Sequence, residues 1–199
     1  MDAPREFFRW GLDAAKGVGI NEHGHKLRLR PFMGVMGLAP AEHGIHVTFP
    51  PRSVGGNLDC KELTEGAHLY LPVAVDGALF STGDGHAVQG DGEVSGVAIE
   101  CGMEHVELEF HVHPEMHLTM PRANTPAGWV TFGLDEDLNK AMPQALSEML
   151  TLMEELHGFD RRTALNLASL VVDLHVTQIV NGVCGVHALL PHGALLKEA

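Results

Sequence analysis

Residues 83–93, GDGHAVQGDGE, constrain the fold more than any other part of the chain, because four of these eleven residues are glycine. Glycine is a poor helix former and tolerates positive φ, so the stretch predicts tight turns and a close approach of the backbone to an ion or ligand. It also contains Asp84, His86, Asp91 and Glu93. Carboxylates and an imidazole are the groups that a divalent cation and a general base require. The alternative interpretation is a pair of Gly-Asp turns that join strands.

The spacing of Asp84 and His86 suggests a pair of metal ligands. Residues two apart on an extended segment project their side chains from the same face. We therefore predict His86 and Asp84 as first ligands, with Asp59 of the block GGNLD as a possible third. Asp59 could instead cap a short helical turn.

Glu93, directly after the second Gly-Asp-Gly, is predicted as the general base, and Asp91 would inherit that role if Glu93 is structural. Asp91 and Gln89 could otherwise hold substrate or support the ligands. The structural alternatives are a turn residue for Asp91 and a solvated strand edge for Glu93.

Two residues outside this stretch are predicted to bind substrate. Asn57 follows two glycines and could contact substrate or accept a left-handed turn conformation. Arg52 could orient a carboxylate or a product acid, and its alternative is a surface salt bridge. The histidines of HVH and its neighbour (His111, His113 and His117) share an alternating segment with glutamates, so we interpret them as solvent-facing.

Strand signals dominate up to residue 133 and helix signals dominate after it. We therefore predict a β-rich region over 1–133 and a helical segment with a final strand over 134–199, within one continuous domain. The predicted strands are 44–49, 68–75, 78–83, 93–100 and 103–113, the last being the clearest because apolar and polar residues alternate.

One helix is predicted to end at Gly158 and a second to begin after Asp160, followed by a returning strand at 186–191. The predicted fold is mainly β, with an antiparallel β-sandwich-like core, a two-helix C-terminal segment and a returning strand (α+β).

Composition excludes several classes of protein. The net charge of -13, from 26 acids against 13 lysines and arginines, argues against a nucleic-acid-binding surface and leaves small neutral or cationic ligands open. The three separated cysteines fit neither a disulfide framework nor a zinc ribbon, which favours a reducing cytoplasm. No segment has the composition of a signal peptide or a membrane span, so we expect no association with a membrane.

Four blocks of the sequence resemble the acetamidase/formamidase family in the family's order. They are RPFMGVMGLAPAE (30–42), PPRSVGGNLDCKELTEG (50–66), LYLPVAVDGALFSTGDGHAVQGDGEVSGVAIE (69–100) and VVDLHVTQIVNGVCGVHALLP (171–191). The resemblance implies hydrolysis of short aliphatic amides to carboxylate and ammonia. It also implies a mostly β fold, a bound divalent metal and a homo-oligomer.

The chain also departs from that family. Relatives have a further N-terminal β region ahead of the segment that corresponds to residues 6–14, and part of their active site is expected to come from it. Two alternatives therefore stay open: a catalytically inactive or partner-dependent fragment of such an amidase, and a calcium-binding structural module. Zinc is the expected metal and calcium the alternative, since zinc accepts imidazole whereas calcium prefers oxygen ligands.

Overall fold

The structure is a computed structural model that describes residues 7–196. Its described strands form three antiparallel sheets. The largest has five strands in the order β10 (Asp173–Gln178), β11 (Cys184–Pro191), β9 (Gly128–Asp135), β8 (Arg122–Thr125) and β6 (His68–Tyr70). The second has the order β5 (Gly55–Asn57), β4 (Phe32–Gly37) and β7 (Ser81–His86). The third is the N-terminal meander β1 (Trp10–Asp13), β2 (Val18–Asn21) and β3 (Lys26–Arg28).

The two helices are α1 (Leu138–His157) and α2 (Arg161–Val171), and α1 ends and α2 begins where the sequence predicts. Gly158 ends α1 with a left-handed φ of 70°, a conformation that costs glycine little. The Asp160 carboxylate accepts hydrogen bonds from the backbone N–H groups of Arg162 and Thr163, both at 2.9 Å. These bonds satisfy donors that the first turn would otherwise leave unpaired. Both predicted helices and the returning strand are confirmed.

The five-stranded sheet packs on both of its faces. One face covers the helices, with Val186, Ala188 and Leu190 of β11 in the same apolar cluster as Ala145 and Met149 of α1. Contact there is close, because a Cβ added at Gly133 of β9 would collide with the backbone of α1.

The opposite face of the sheet packs against the β5–β4–β7 sheet. Val130 and Phe132 of β9 share a cluster with Met36 of β4 and Leu58. This is the predicted antiparallel sandwich-like core with an appended helical layer, and the predicted fold class is confirmed.

Several predicted strands are wrong. Residues 103–113 form no ladder in the described part of the chain, and neither do 44–49. The predicted strand 93–100 also forms no ladder there, apart from an isolated bridge between Glu100 and His86. Period-two alternation identifies an extended segment with two unlike faces, but it does not supply the partner strand that a ladder requires. The predicted strand 68–75 is shorter in the structure, where it is β6. The predicted strand 78–83 is shifted toward the C-terminus, where it is β7.

The division at residues 133 and 134 stays a prediction, and its two outer ends lie outside the described residues. Among the helices that the structure describes, none combines the length and the hydropathy that crossing a bilayer requires.

Candidate metal centre

Three side chains from separate parts of the second sheet converge on one point. Asp84 and His86 belong to β7, and Asp59 follows β5. The His86 Nε2 atom lies 3.2 Å from the Asp84 Oδ2 atom and 4.0 Å from the Asp59 Oδ1 atom. One ligand atom from each residue lies within 4.8 Å of the others. The structure thus brings together the three residues that the sequence predicts as metal ligands.

Gln89 fixes the tautomer of His86. The Gln89 side-chain amide donates through Nε2 to the Asp59 backbone carbonyl at 2.6 Å, so the Oε1 atom of Gln89 is the one that faces His86. That oxygen can only accept a hydrogen bond, so the His86 Nδ1 atom, 2.9 Å away, must be the protonated nitrogen. The lone pair of the neutral ring is therefore on Nε2, the atom that faces the two aspartates.

Asn181 orients the carboxylate of Asp59. Its Nδ2 amine donates to the Asp59 Oδ2 atom at 2.7 Å, which leaves Oδ1 directed at His86. Gln178 holds the loop that carries Asn181, because its Oε1 atom accepts from the backbone N–H groups of Val180 and Asn181. Burial raises the pKa of Asp59, and the nearby His86 opposes that effect.

Gly34 of β4 leaves the space that the three ligand side chains occupy. A Cβ at this position would lie 2.7 Å from the Asp59 Oδ1 atom, 2.9 Å from His86 Cε1 and 3.0 Å from the Asp84 Oδ2 atom. Real Cβ contacts are longer than this, so any side chain at residue 34 would displace the cluster.

The donor set fits a divalent cation. The Asp59 Oδ1 and His86 Nε2 atoms are buried and have no hydrogen-bond partner, although such atoms are costly to leave unpaired. Asp59 and His86 are almost fully buried, whereas the Asp84 side chain is 33% exposed and opens the cluster toward solvent. Two carboxylates and one imidazole are a ligand set that zinc accepts.

Glu93 lies beside this cluster. Its side chain is buried, its Oε2 atom has no partner, and its backbone is left-handed with a φ of 45°. Burial, followed by the charge of Asp59, raises the pKa of Glu93 to about 8. A carboxyl group with a free buried oxygen next to the ligand atoms can hold or pass a proton at that point.

Asp91 belongs to a second cluster. Its Oδ2 atom lies 2.6 Å from the Lys61 ammonium and 3.1 Å from the His175 Nδ1 atom. The His175 and His187 rings, opposite each other on β10 and β11, stack 4.9 Å apart at an angle of 8°. One ligand atom from each of Asp91, His175 and His187 lies within 4.8 Å of the others, and the Nε2 atoms of both rings are buried without a partner. A metal lies near the plane of each imidazole that binds it, so two parallel stacked rings are poorly oriented to share one ion. The lysine already neutralises Asp91, and the second cluster is therefore a charge and hydrogen-bond network.

The remaining predicted site residues have other contacts. The Asn57 Nδ2 amine donates to the Phe49 carbonyl at 3.0 Å, while its buried Oδ1 atom has no partner. The Arg52 guanidinium donates to the carbonyls of Val47 and Pro50 at 3.0 and 2.9 Å, and it lines a separate cleft of about 710 Å³. His111 and His113 are surface side chains, 62% and 45% exposed.

Sequence reasoning missed Gly34, Lys61, His175 and Asn181. Each lies in or beside one of the four family-like blocks, but none is spaced from residues 83–93 in a way that predicts contact. Cys60 is not a nucleophile in this arrangement, because complete burial raises the pKa of its thiol to about 12.

Most of the chain matches the profile of one known protein family. The profile described as the Acetamidase/Formamidase family matches residues 40–193. The acetamidase of Mycolicibacterium smegmatis is 52% identical over 56 residues, which is 28% of this chain and 14% of that protein.

Solved structures extend the similarity to the fold. The crystal structure of an acetamidase from Bacillus halodurans matches with a TM-score of 0.74 and 30% identity, over 88% of this chain and 59% of that one. A predicted acetamidase/formamidase from Thermoanaerobacter tengcongensis matches with a TM-score of 0.73 and 30% identity, over 88% and 57%. The chain thus spans less than two thirds of the length of these relatives.

Proposed function

Because the chain belongs to the acetamidase/formamidase family, we propose that it takes part in the hydrolysis of a short aliphatic amide, formamide or acetamide, to carboxylate and ammonia. The observation that carries this proposal is the convergence of Asp59, Asp84 and His86, with unpaired buried atoms, next to the carboxyl of Glu93. All four residues lie inside the matched range 40–193.

Asp59, Asp84 and His86 would hold a divalent cation, with zinc proposed first and calcium as the alternative. Such an ion would supply Lewis acidity toward a carbonyl oxygen and a lowered pKa for water. The lone pair of His86 Nε2 supports zinc, since calcium sites are built from oxygen ligands. Gln89 and Asn181 keep the ligand atoms pointed inward.

Amide hydrolysis also requires proton transfer, and Glu93 is the proposed proton carrier. Resonance protects the carbonyl, and the nitrogen must be protonated before the C–N bond breaks. With the cation bound, its charge would lower the pKa of Glu93 and leave the carboxylate ionised. Glu93 would then take a proton from the water that adds to the carbonyl carbon, and would return it to the departing nitrogen. Asp91 inherits this role only if Glu93 is structural, because Asp91 is already paired with Lys61 and His175.

We propose that Asn57 and Arg52 orient the substrate directly, whereas Gln89 supports the metal ligands. The unpaired Asn57 Oδ1 atom would accept a hydrogen bond from an amide N–H. Gln89 acts through His86 and Asp59, as its two hydrogen bonds indicate. Arg52 would receive a product carboxylate only after releasing the backbone carbonyls of Val47 and Pro50.

The second candidate is a partner-dependent or inactive form of the amidase. It is favoured because this chain spans only 59% and 57% of the two solved structures. A purely structural calcium-binding module is supported less, because of the imidazole in the ligand set. We also propose a homo-oligomer. A cytoplasmic location fits the three free cysteines, and the acidic composition supports no nucleic-acid partner.

The test combines metal analysis of the purified chain with an ammonia-release assay on formamide and acetamide. We expect bound metal near one equivalent and ammonia release that a chelator abolishes. Metal without ammonia would favour the partner-dependent form. Absence of both would contradict the site assignment, and calcium in place of zinc would favour the structural module.

A further inference from the structure

Residues 105–113 form an exposed extended segment that lacks a strand partner. Among the described residues, no backbone–backbone hydrogen bond involves residues 102–112. Its apolar side chains are nonetheless open to solvent: Val106, Leu108, Phe110 and Val112 are 42%, 41%, 66% and 87% exposed. Free backbone groups beside exposed apolar side chains are the features that strand addition uses.

The segment keeps two distinct faces. His105 lies 3.5 Å from Glu107, and His111 lies 3.0 Å from Glu109, so side chains two residues apart share a face. The other face is apolar, and Phe110 rests edge-on against Phe80 with ring centroids 5.0 Å apart. The body of the molecule thus contacts the segment at Phe110 and also at His113, whose ring centroid lies 5.9 Å from that of Tyr70.

The order of glutamates and histidines along this segment is complementary to that of a second copy running in the opposite direction. Counting outward from Phe110, Glu109 on one side matches His111 on the other, and Glu107 matches His113. In an antiparallel pair centred on Phe110, each glutamate therefore stands directly opposite a histidine. On the apolar face Leu108 stands opposite Val112, and Phe110 opposite its own copy. Glutamate–histidine hydrogen bonds and apolar pairs at facing positions are contacts that stabilise a sheet.

We propose that residues 107–113 pair antiparallel with the same residues of a second copy, about a two-fold axis at Phe110. A shift of the centre to Leu108 would place Glu107 opposite Glu109, and a shift to Val112 would place His111 opposite His113. Glutamate then faces glutamate, or histidine faces histidine, so the order of these two residue types favours the Phe110 register. Such an interface is isologous and closes as a dimer. This inference deepens the proposed homo-oligomer but does not rest on the amide chemistry.

Cysteine cross-linking tests the register. Directly opposite residues of an antiparallel pair have Cα atoms about 4.5–5.5 Å apart, which a disulfide can bridge. Phe110→Cys should therefore form a disulfide dimer under mild oxidation. Val112→Cys alone should not, because four residues of offset separate the two copies by about 13 Å along the strand.

An equimolar mixture of Leu108→Cys and Val112→Cys keeps Phe110 and should cross-link, since these residues face each other. The unmodified chain is the control for its own cysteines, and circular dichroism checks that each variant folds. Light scattering of the unmodified chain at about 100 μM should show dimer, a concentration suited to a short strand pair that is only marginally stable.

Three results would overturn the proposal. They are a monomer at that concentration, equal cross-linking of the single variants at residues 108, 110 and 112, and no cross-link in the mixture. Equal cross-linking would indicate random collision, and a dimer without the register pattern would place the interface elsewhere.

Discussion

The Asn181 amide donates to the Asp59 Oδ2 atom at 2.7 Å, across 122 positions of sequence, and so determines which oxygen of Asp59 faces His86. The hydrogen bond links the loop after β10 to the segment after β5, on two different sheets. The geometry of the candidate metal centre therefore depends on the packing of the two sheets.

Asn181→Ala should weaken metal binding without unfolding the protein. Residues that orient metal ligands typically contribute about 10- to 100-fold in affinity, so we expect a loss of that size in a competition titration with a chromogenic chelator. Asn166→Ala, on the exposed surface of α2, is the matched control. Equal metal affinity in the two variants would show that metal binding does not require Asn181 to orient Asp59.

Gly34→Ala should remove metal binding more completely, because its methyl group would lie within 3.0 Å of atoms of all three ligand side chains. Gly83→Ala is the control: Gly83 lies on the adjacent strand β7, and an added Cβ would meet no atom within 4 Å. Elemental analysis of both proteins after dialysis against zinc should find metal only in the Gly83 variant. Metal in both would move the site away from Gly34.

His86→Ala should lower bound metal sharply while the far-UV circular dichroism stays near that of the parent, since His86 is the one nitrogen ligand of the cluster. His105→Ala, whose side chain is 80% exposed, controls for the loss of a histidine as such. Full metal content in the His86 variant would redirect attention to the network around His175.

Glu93→Gln should keep the metal but lose most turnover in any form of the protein that hydrolyses acetamide. The change preserves size and removes the basic carboxylate, and general acid–base help is typically worth about 10² to 10⁴-fold in rate. Glu65→Gln, at an exposed position, should leave the rate unchanged. A Glu93 variant within about threefold of the parent, far below that contribution, would make Asp91 the next candidate.

Acid should destabilise the fold through His187. Burial lowers the pKa of His187 to about 4, from its usual value near 6.5. Between those pH values the unfolded chain binds a proton that the folded chain does not, so stability falls as pH drops through this window. The difference amounts to roughly 3 kcal/mol.

His187→Gln can keep a hydrogen bond to Thr177, the partner of His187 Nδ1 at 2.8 Å, and cannot take up the proton. Urea unfolding at several pH values should therefore give this variant a shallower loss of stability between pH 6.5 and 4. Parallel pH profiles for parent and variant would contradict this role for His187.

Local signals predicted the parts of the molecule that local forces determine. Asp160 and Gly158 mark helix ends through contacts within a few residues, and the spacing of Asp84 and His86 predicts a shared face. The strand at 103–113 was wrong because alternation cannot report whether a partner strand is present. Asn181 was out of reach, since its contact with Asp59 exists only after the two sheets pack.

Asp59, Asp84 and Glu93 all have left-handed backbones, with φ of 48°, 59° and 45°. This conformation is unfavourable for residues that carry a side chain. The three residues are also neighbouring acids, whose carboxylates repel one another. Substitutions chosen only to raise the melting temperature, such as glycine or asparagine at these positions, would relieve both the backbone strain and the charge repulsion. A screen for thermostability should therefore recover changes at these residues, and the variants that gain stability there should be the ones that lose chemistry.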